Sequence, residues 1–227
     1  MRRMGIDGTG APAARCAGPM MAKNSFRTAL TALLLAFTPV AIAAPPEPIE
    51  VRAEKLKAGG HIWQPELATE GPVEIVIGLA EQRAYVFRGG ALIGAASVSS
   101  GVKGRESPIG RFQILEKKRF HRSNRYSNAP MPWMQRLNWY GIALHAGEVT
   151  GRPASHGCFR LPATFAQKLF GVTELGGFVF VTEDRIATAE AALKLARLNA
   201  NAPYGPARTF ESAPGRRKPA EAALPTP

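Results

Sequence analysis

The pattern of apolar and polar positions divides the chain into three parts. Ala29 to Ala44 is the only long apolar run, ending in the small-x-small pattern Ala41-Ile42-Ala43 before Pro45, Pro46 and Pro48. Residues 44–72 carry Pro, Gly and charges without periodicity and read as a linker. From Val73 the pattern changes to short alternations. Val73–Ile77, Arg83–Phe87 and Ala91–Val98 read as strands, with Gly89-Gly90 as a tight turn between the last two. Arg111–Leu115, Trp139–His145 and Gly177–Thr182 are further β-rich runs, and Ser107-Pro108-Ile109-Gly110 is turn chemistry. Two helices are expected. One covers Ala163–Phe170, opened by Pro162 and stopped at Gly171; the other covers Ala187–Leu198. Five or more short strands with one or two short helices predict one mostly β domain, a β-sandwich or mixed sheet over residues 73–184. Residues 185–227 are expected to be a helix and then a disordered tail rich in Pro, Ala and Arg.

The apolar run follows Lys23 and Arg27, so residues 1–43 contain a positive segment, an apolar core and an Ala-x-Ala site, the parts of an export signal. Thr38-Pro39 interrupts the run, which is shorter than the roughly 20 residues of a spanning helix. Cleavage near Ala43 is therefore expected, rather than anchoring. The mature protein would lie in the periplasm or cell envelope with no stable membrane span. Residues 1–19 are unpatterned, and translation is expected to start at Met20 or Met21.

Composition adds limits. The 227 residues are 45% hydrophobic and 20% charged, which excludes a wholly disordered chain. There are 29 Lys+Arg against 17 Asp+Glu, or +12. Cleavage would leave 24 basic and 16 acidic residues, or +8, because it removes Arg2, Arg3, Arg15, Lys23, Arg27 and Asp7. It would also remove Cys16, leaving Cys158 as the one cysteine. Neither a disulfide framework nor a four-cysteine metal site is then possible.

The informative stretch is Ile142-Ala143-Leu144-His145-Ala146-Gly147, a turn-rich link, then Ser155-His156-Gly157-Cys158-Phe159-Arg160-Leu161. His145 ends an apolar strand, and Gly151, Pro153 and Gly157 let the chain fold back so that Cys158 approaches it. A cysteine nucleophile needs a base or cation nearby to raise its thiolate fraction. His145 is the candidate base. His156 and Arg160 are candidates to bias the thiolate, orient the loop or bind a substrate carboxylate. Gly157 allows the close backbone approach that an oxyanion loop needs. Two other readings compete: an inert core cysteine, and a zinc site of His145, His156 and Cys158. No nearby carboxylate strengthens the zinc reading, since Glu148 is the only acidic residue between positions 117 and 173. The expectation is no metal and no cofactor.

This segment closely resembles the catalytic domain of the L,D-transpeptidases, the YkuD-like family of bacterial envelope enzymes. Ser155-His156-Gly157-Cys158-Phe159-Arg160 is similar to the signature around that family's nucleophile, and His145 in Leu144-His145-Ala146-Gly147 sits where the family places its base. Val98-Ser99-Ser100-Gly101, Ser107-Pro108-Ile109-Gly110-Arg111-Phe112 and Met131-Pro132-Trp133 also match. Phe159 stands where Ile or Val is common, and Ser107 where Thr often precedes the Pro. The resemblance implies that Cys158 attacks a peptidoglycan stem tetrapeptide and releases its terminal D-alanine. His145 would move the protons, held by the Ala146 carbonyl, and backbone N–H groups near Gly157 and Cys158 would hold the oxyanion. An amine would then resolve the thioester into a 3→3 cross-link or another amide, whereas water would give an L,D-carboxypeptidase.

A rival of another class is a non-catalytic peptidoglycan-binding module, which the intact Cys/His pair disfavours. The eight Lys/Arg between Lys103 and Arg125 can also be read as a nucleic-acid patch, a solvated face or a lid. An exported protein seldom meets nucleic acid, so peptidoglycan stem peptides, not nucleic acid, are the expected partners.

Overall fold

The computed structural model describes residues 46–206. The export signal, the start site and the tail beyond residue 206 lie outside these. Among the described residues, no helix is long and apolar enough to cross a membrane. The elements run α1 (Ile49–Glu54), β1 (His61–Trp63), β2 (Val73–Gly78), β3 (Arg83–Arg88), β4 (Ala91–Ser97), β5 (Gly110–Gln113), β6 (Glu116–Lys118) and β7 (Met134–Arg136). They continue β8 (Ala143–Ala146), β9 (Phe159–Leu161), α2 (Ala163–Val172), β10 (Phe178–Thr182), α3 (Ala189–Leu198) and β11 (Gly205–Pro206).

Two sheets form the mostly β architecture. The larger has the order β1-β4-β3-β2-β10-β5-β11, and the smaller β6-β7-β8-β9. Both are mixed: β2–β10 and β8–β9 are parallel, and the other pairs antiparallel. The hairpin between β3 and β4 turns on Gly89 (φ 56°) and Gly90 (φ 92°), left-handed values that suit glycine at both turn positions.

The main core lies between the sheets. Ile75, Ile77, Val86, Ile93 and Phe112 of the large sheet meet Leu144, Ala146, Phe159 and Leu161 of the small one, with Phe165 and Leu169 of α2. A second cluster covers the other face of the large sheet. There Val76, Tyr85, Phe87 and Phe180 pack against Ile49 and Ala53 of α1 and Ala189, Ala192 and Ala196 of α3. Both faces of β2, β3 and β10 are thus buried.

Several expectations are corrected. The linker expected over residues 44–72 is folded from Ile49 to Leu67: α1 caps the large sheet, β1 pairs with the edge of β4, and a 3₁₀ turn follows at Pro65–Leu67. These elements are too short to show periodicity, yet Ile49, Ala53 and Ile62 are buried. The strand expected over Trp139–His145 begins only at Ala143. Asn138 accepts the Ile142 N–H through Oδ1 (3.0 Å) and makes a turn there, with Trp139 and Tyr140 exposed. The helix expected to stop at Gly171 runs to Val172. Lys117 Nζ donates to the carbonyls of Phe170 (2.8 Å) and Thr173 (2.5 Å), satisfying orphan acceptors at that helix end. The second helix begins at Ala189, not Ala187, where Thr188 Oγ1 accepts the Ala191 N–H at 3.1 Å as an N-cap.

Candidate active site

The small sheet has two different faces, and its register assigns residues to them. Leu144 pairs with Phe159, His145 with Arg160 and Ala146 with Leu161. On β7, Gln135 pairs with Leu144 and Arg136 with Ala143. Alternation then puts Leu144, Ala146, Phe159 and Leu161 on the core face. Met134, Arg136, Ala143, His145 and Arg160 share the opposite face. Cys158 immediately precedes β9, opposite Ala143 on this register, so His145 is its diagonal neighbour on the same face. Met131, Met134 and Ala143 form a small apolar floor against Cys158.

A cavity of about 340 Å³ opens over this face, and Ser155, His156, Cys158, Arg160 and His145 all line it. Its far wall is the excursion from β6 to β7, closed by backbone bonds such as Met131 N–H to His121 O (2.8 Å) and Ser123 N–H to Ala129 O (2.9 Å). Tyr126 on this wall stacks on His156, ring centroids 4.6 Å apart and planes 15° apart. His156, adjoining the nucleophile loop, therefore faces the wall. His121, within the basic run, and Tyr126, just beyond it, line the cavity too.

His145 is buried, and its Nδ1 lies 2.8 Å from the carbonyl oxygen of Ala146. A carbonyl only accepts, so the neutral ring carries its proton on Nδ1 and leaves the Nε2 lone pair free to accept one. Burial, with Arg160 acting in the same direction, pulls the His145 pKa down to about 4, so the ring is neutral at ordinary pH. The Cys158 thiol lies 3.3 Å from the Gly141 carbonyl, its weak S–H acceptor. Burial pushes its pKa up, opposed by the Ala143 N–H and the charges of Arg136 and Arg160. Both groups are thus held in their uncharged forms. Thiol and imidazole form a neutral pair, in which sulfur would have to give up its proton before acting as a nucleophile.

The nucleophile loop is tied on two sides. Gly157 adopts φ +115°, and a Cβ there would come within 2.9 Å of Ile142 Cδ1. Ser155 Oγ accepts the Gly157 N–H (3.1 Å) and donates to the Cys158 carbonyl (2.5 Å). Ser107 Oγ donates to the Gly157 carbonyl at 2.8 Å and accepts the Gly101 N–H at 2.9 Å. Gln82, buried with φ 48°, steadies this segment by accepting the Ser100 N–H (2.8 Å) and donating to Ser100 Oγ (2.7 Å). Neither the sequence pattern nor the signature singled out Gln82.

The basic run from Lys103 to Arg125 does not form one patch. Arg111 lies on the large sheet with its guanidinium 4.0 Å from the Tyr204 ring, Lys117 serves α2, and Arg125 reaches the cavity. Among the described residues, no group of three His, Cys, Asp or Glu side chains is placed to hold a metal ion.

Residues 72–181 match the family model of the YkuD L,D-transpeptidase catalytic domain. These residues, just under half of the chain, are similar to the L,D-transpeptidase catalytic domain. Solved structures similar to it include an L,D-transpeptidase from Mycobacterium tuberculosis H37Rv (20% identity, 49% of this chain and 57% of that one, TM-score 0.47). Another is an L,D-transpeptidase from Stackebrandtia nassauensis (27% identity, 53% and 60%, TM-score 0.46). The match spans less than two thirds of either of those chains. No curated protein matches the chain. The matched residues contain β8, β9 and the loop of Ser155 to Cys158, whereas α1, β1 and α3 lie outside them; α1 and α3 cover the back of the larger sheet and β1 extends its edge.

Proposed function

We propose that this domain is a cysteine-nucleophile L,D-transpeptidase acting on peptidoglycan stem tetrapeptides. The observation that carries the reading is the placement of Cys158 and His145 on one sheet face, in one cavity, with His145 Nδ1 tied to the Ala146 carbonyl. His145 Nε2 takes the thiol proton as sulfur attacks the carbonyl between the L- and D-centres. The C–S bond forms, the C–N bond to the terminal D-alanine breaks, and the proton passes to the leaving amine. The Gly157 N–H is already engaged by Ser155 Oγ, which makes the Cys158 N–H the first backbone donor for the oxyanion. Arg125, Arg136 and Arg160 around the cavity suit a donor that carries carboxylates. Ser155, His156 and Arg160 hold this arrangement without transferring the proton.

An amine acceptor completes transpeptidation, and water in its place gives L,D-carboxypeptidase activity at the same site. The export signal read from residues 1–43 belongs to the proposal, because it would deliver the domain to its polymer. Mass spectrometry of protein incubated with a defined tetrapeptide muropeptide or a carbapenem tests the function. The expected result is a thioester adduct on Cys158. An adduct that persists in Cys158→Ala would overturn the assignment. The mature N-terminus, read by the same method, is expected near Ala44.

A further inference from the structure

The acid and base residues around the cavity are unequally distributed. Among its lining residues, Arg125, Arg136 and Arg160 are cationic and Glu148 is the only carboxylate. The register separates Glu148 from Arg136 and Arg125 along the sheet, with Arg160, opposite His145 and packed along Gly147, between them. Arg136 pairs with Ala143, beside the thiol, and the Arg125 side chain passes within 3.2 Å of the Cβ position of Gly141, whose carbonyl faces the Cys158 sulfur. Glu148 lies at the other end, three residues beyond His145, where β8 has ended and the Gly147 N–H is tied to the Leu161 carbonyl at 3.0 Å. Glu148 is exposed and makes no hydrogen bond or ion pair among the described residues.

The second half-reaction gives this asymmetry a use. The acceptor must reach the thioester past the group that deprotonates it, which is His145 Nε2. A primary amine arrives chiefly as an ammonium ion, and three arginines repel it. We infer that Glu148 is the acceptor-docking carboxylate of this site, recognising a cationic primary amine and favouring aminolysis of the thioester over hydrolysis. This rests on the proposed transpeptidase function. In the step itself, the docked ammonium first loses one proton to solvent. Its nitrogen then attacks the thioester carbonyl, the new C–N bond forms as the C–S bond breaks, and His145 carries the second proton from nitrogen to the departing sulfur. Amide and free thiol result.

The test uses the full chain and its Glu148→Gln and Glu148→Lys variants, with a tetrapeptide muropeptide as donor. The acceptors are Nα-acetyl-lysinamide, which is cationic, and hydroxylamine, which is uncharged at neutral pH. A single exposed ion pair implies a rise in KM for the cationic amine of about 2- to 5-fold in Glu148→Gln, with a larger rise in Glu148→Lys. The product ratio shifts toward hydrolysis, the KM for hydroxylamine stays at the wild-type value, and added salt shrinks the difference between wild type and variant. Unchanged KM for the lysinamide, or an equal rise for both acceptors, would overturn the docking role while the thioester still forms. Absence of a thioester in the wild-type protein would overturn the transpeptidase function and the docking role with it.

Discussion

The hydroxyl of Ser107 joins two glycines that the chain separates by 56 residues. It donates to the Gly157 carbonyl at 2.8 Å and accepts the Gly101 N–H at 2.9 Å. All three groups are buried, so the link fixes the peptide immediately before Cys158 against the strand-like segment 99–102. That segment is itself bonded to the nucleophile loop, through Val102 N–H to Ser155 O (3.0 Å) and Ser99 N–H to Arg160 O (3.1 Å). Removing the hydroxyl leaves a buried donor and a buried acceptor without their partner, at a cost of about 1–3 kcal/mol. Ser107→Ala is therefore expected to lower stability by that amount in urea unfolding. It should also slow acylation by about tenfold or more, because the nucleophile is no longer held in place. Ser107→Thr keeps the hydroxyl and should restore most of both. An alanine variant as active as wild type would remove Ser107 from the support of the loop.

The neutral thiol–imidazole pair separates the roles of the residues around it. Cys158→Ala and Cys158→Ser should abolish the thioester. His145→Ala should slow its formation by about 10²- to 10⁴-fold in a protein whose circular dichroism is unchanged. His156, stacked on Tyr126, and Arg160, opposite His145, act through geometry and charge, so their alanine variants should keep measurable acylation. Single-turnover acylation followed by mass is the measurement. Complete loss in folded His156→Ala would place that ring in the proton path instead.

The candidate site is legible as a cluster because its thiol, imidazoles and loop glycine all fall in the interval from His145 to Arg160. What escaped was set by tertiary packing. Residues 49–67 carry too few apolar positions in a row to show a period, and only the back of the large sheet gives Ile49 and Ala53 of α1 something to cover and Ile62 of β1 a cluster to join. Gly171 reads as a helix stop until Lys117, far away in sequence, supplies donors for the last carbonyls of α2. Gln82 and Tyr126 lie outside the signature, and their roles depend on which segments meet them.

Lys117 makes that helix end testable. Its ammonium bonds two carbonyls and lies 4.4 Å from the centre of the Phe170 ring. Burial lowers its pKa, opposed by the charge of Glu174. Lys117→Met keeps the aliphatic stem and deletes the donors. The expected loss is about 1–2 kcal/mol of unfolding free energy, with α2 exchanging its last amides faster in hydrogen-exchange measurements. Protection unchanged at Phe170–Thr173 would show that the helix end does not depend on this cap.

Gly101 is held more tightly still. A Cβ there would lie 1.9 Å from the Arg105 carbonyl oxygen and 2.8 Å from the Ser107 nitrogen, both backbone atoms with little freedom to retreat. Gly101→Ala should displace the turn that carries Ser107. The expected outcome is a loss of about 2 kcal/mol or more, in the range of substitutions that overpack a core. Gly104→Ala, where no atom lies within 4 Å of the Cβ position but φ is +82°, should cost only the backbone strain of about 1–2 kcal/mol. Equal thermal midpoints for the two variants would contradict the clash at Gly101.

The pH dependence of stability follows from the same burial that neutralises His145. Its folded-state pKa is about 4, against 6.5 for the ordinary ring. Above pH 6.5 neither state holds the proton and the group contributes nothing. As pH falls from 6.5 to 4, the unfolded chain gains a proton that the folded protein refuses. Stability is therefore lost on acidification across that window, by about 3 kcal/mol for the full shift. His61, His121 and His156 are also held below their ordinary values, chiefly by burial, and add to the same slope. Subtracting the profile of His145→Gln isolates the contribution of His145. Urea unfolding at half-unit steps from pH 7 to pH 4 should show the wild type losing more stability than the variant, most steeply below pH 6. Parallel profiles would mean that His145 titrates near its ordinary value in the folded protein. The neutral pair proposed for the resting site would then be wrong.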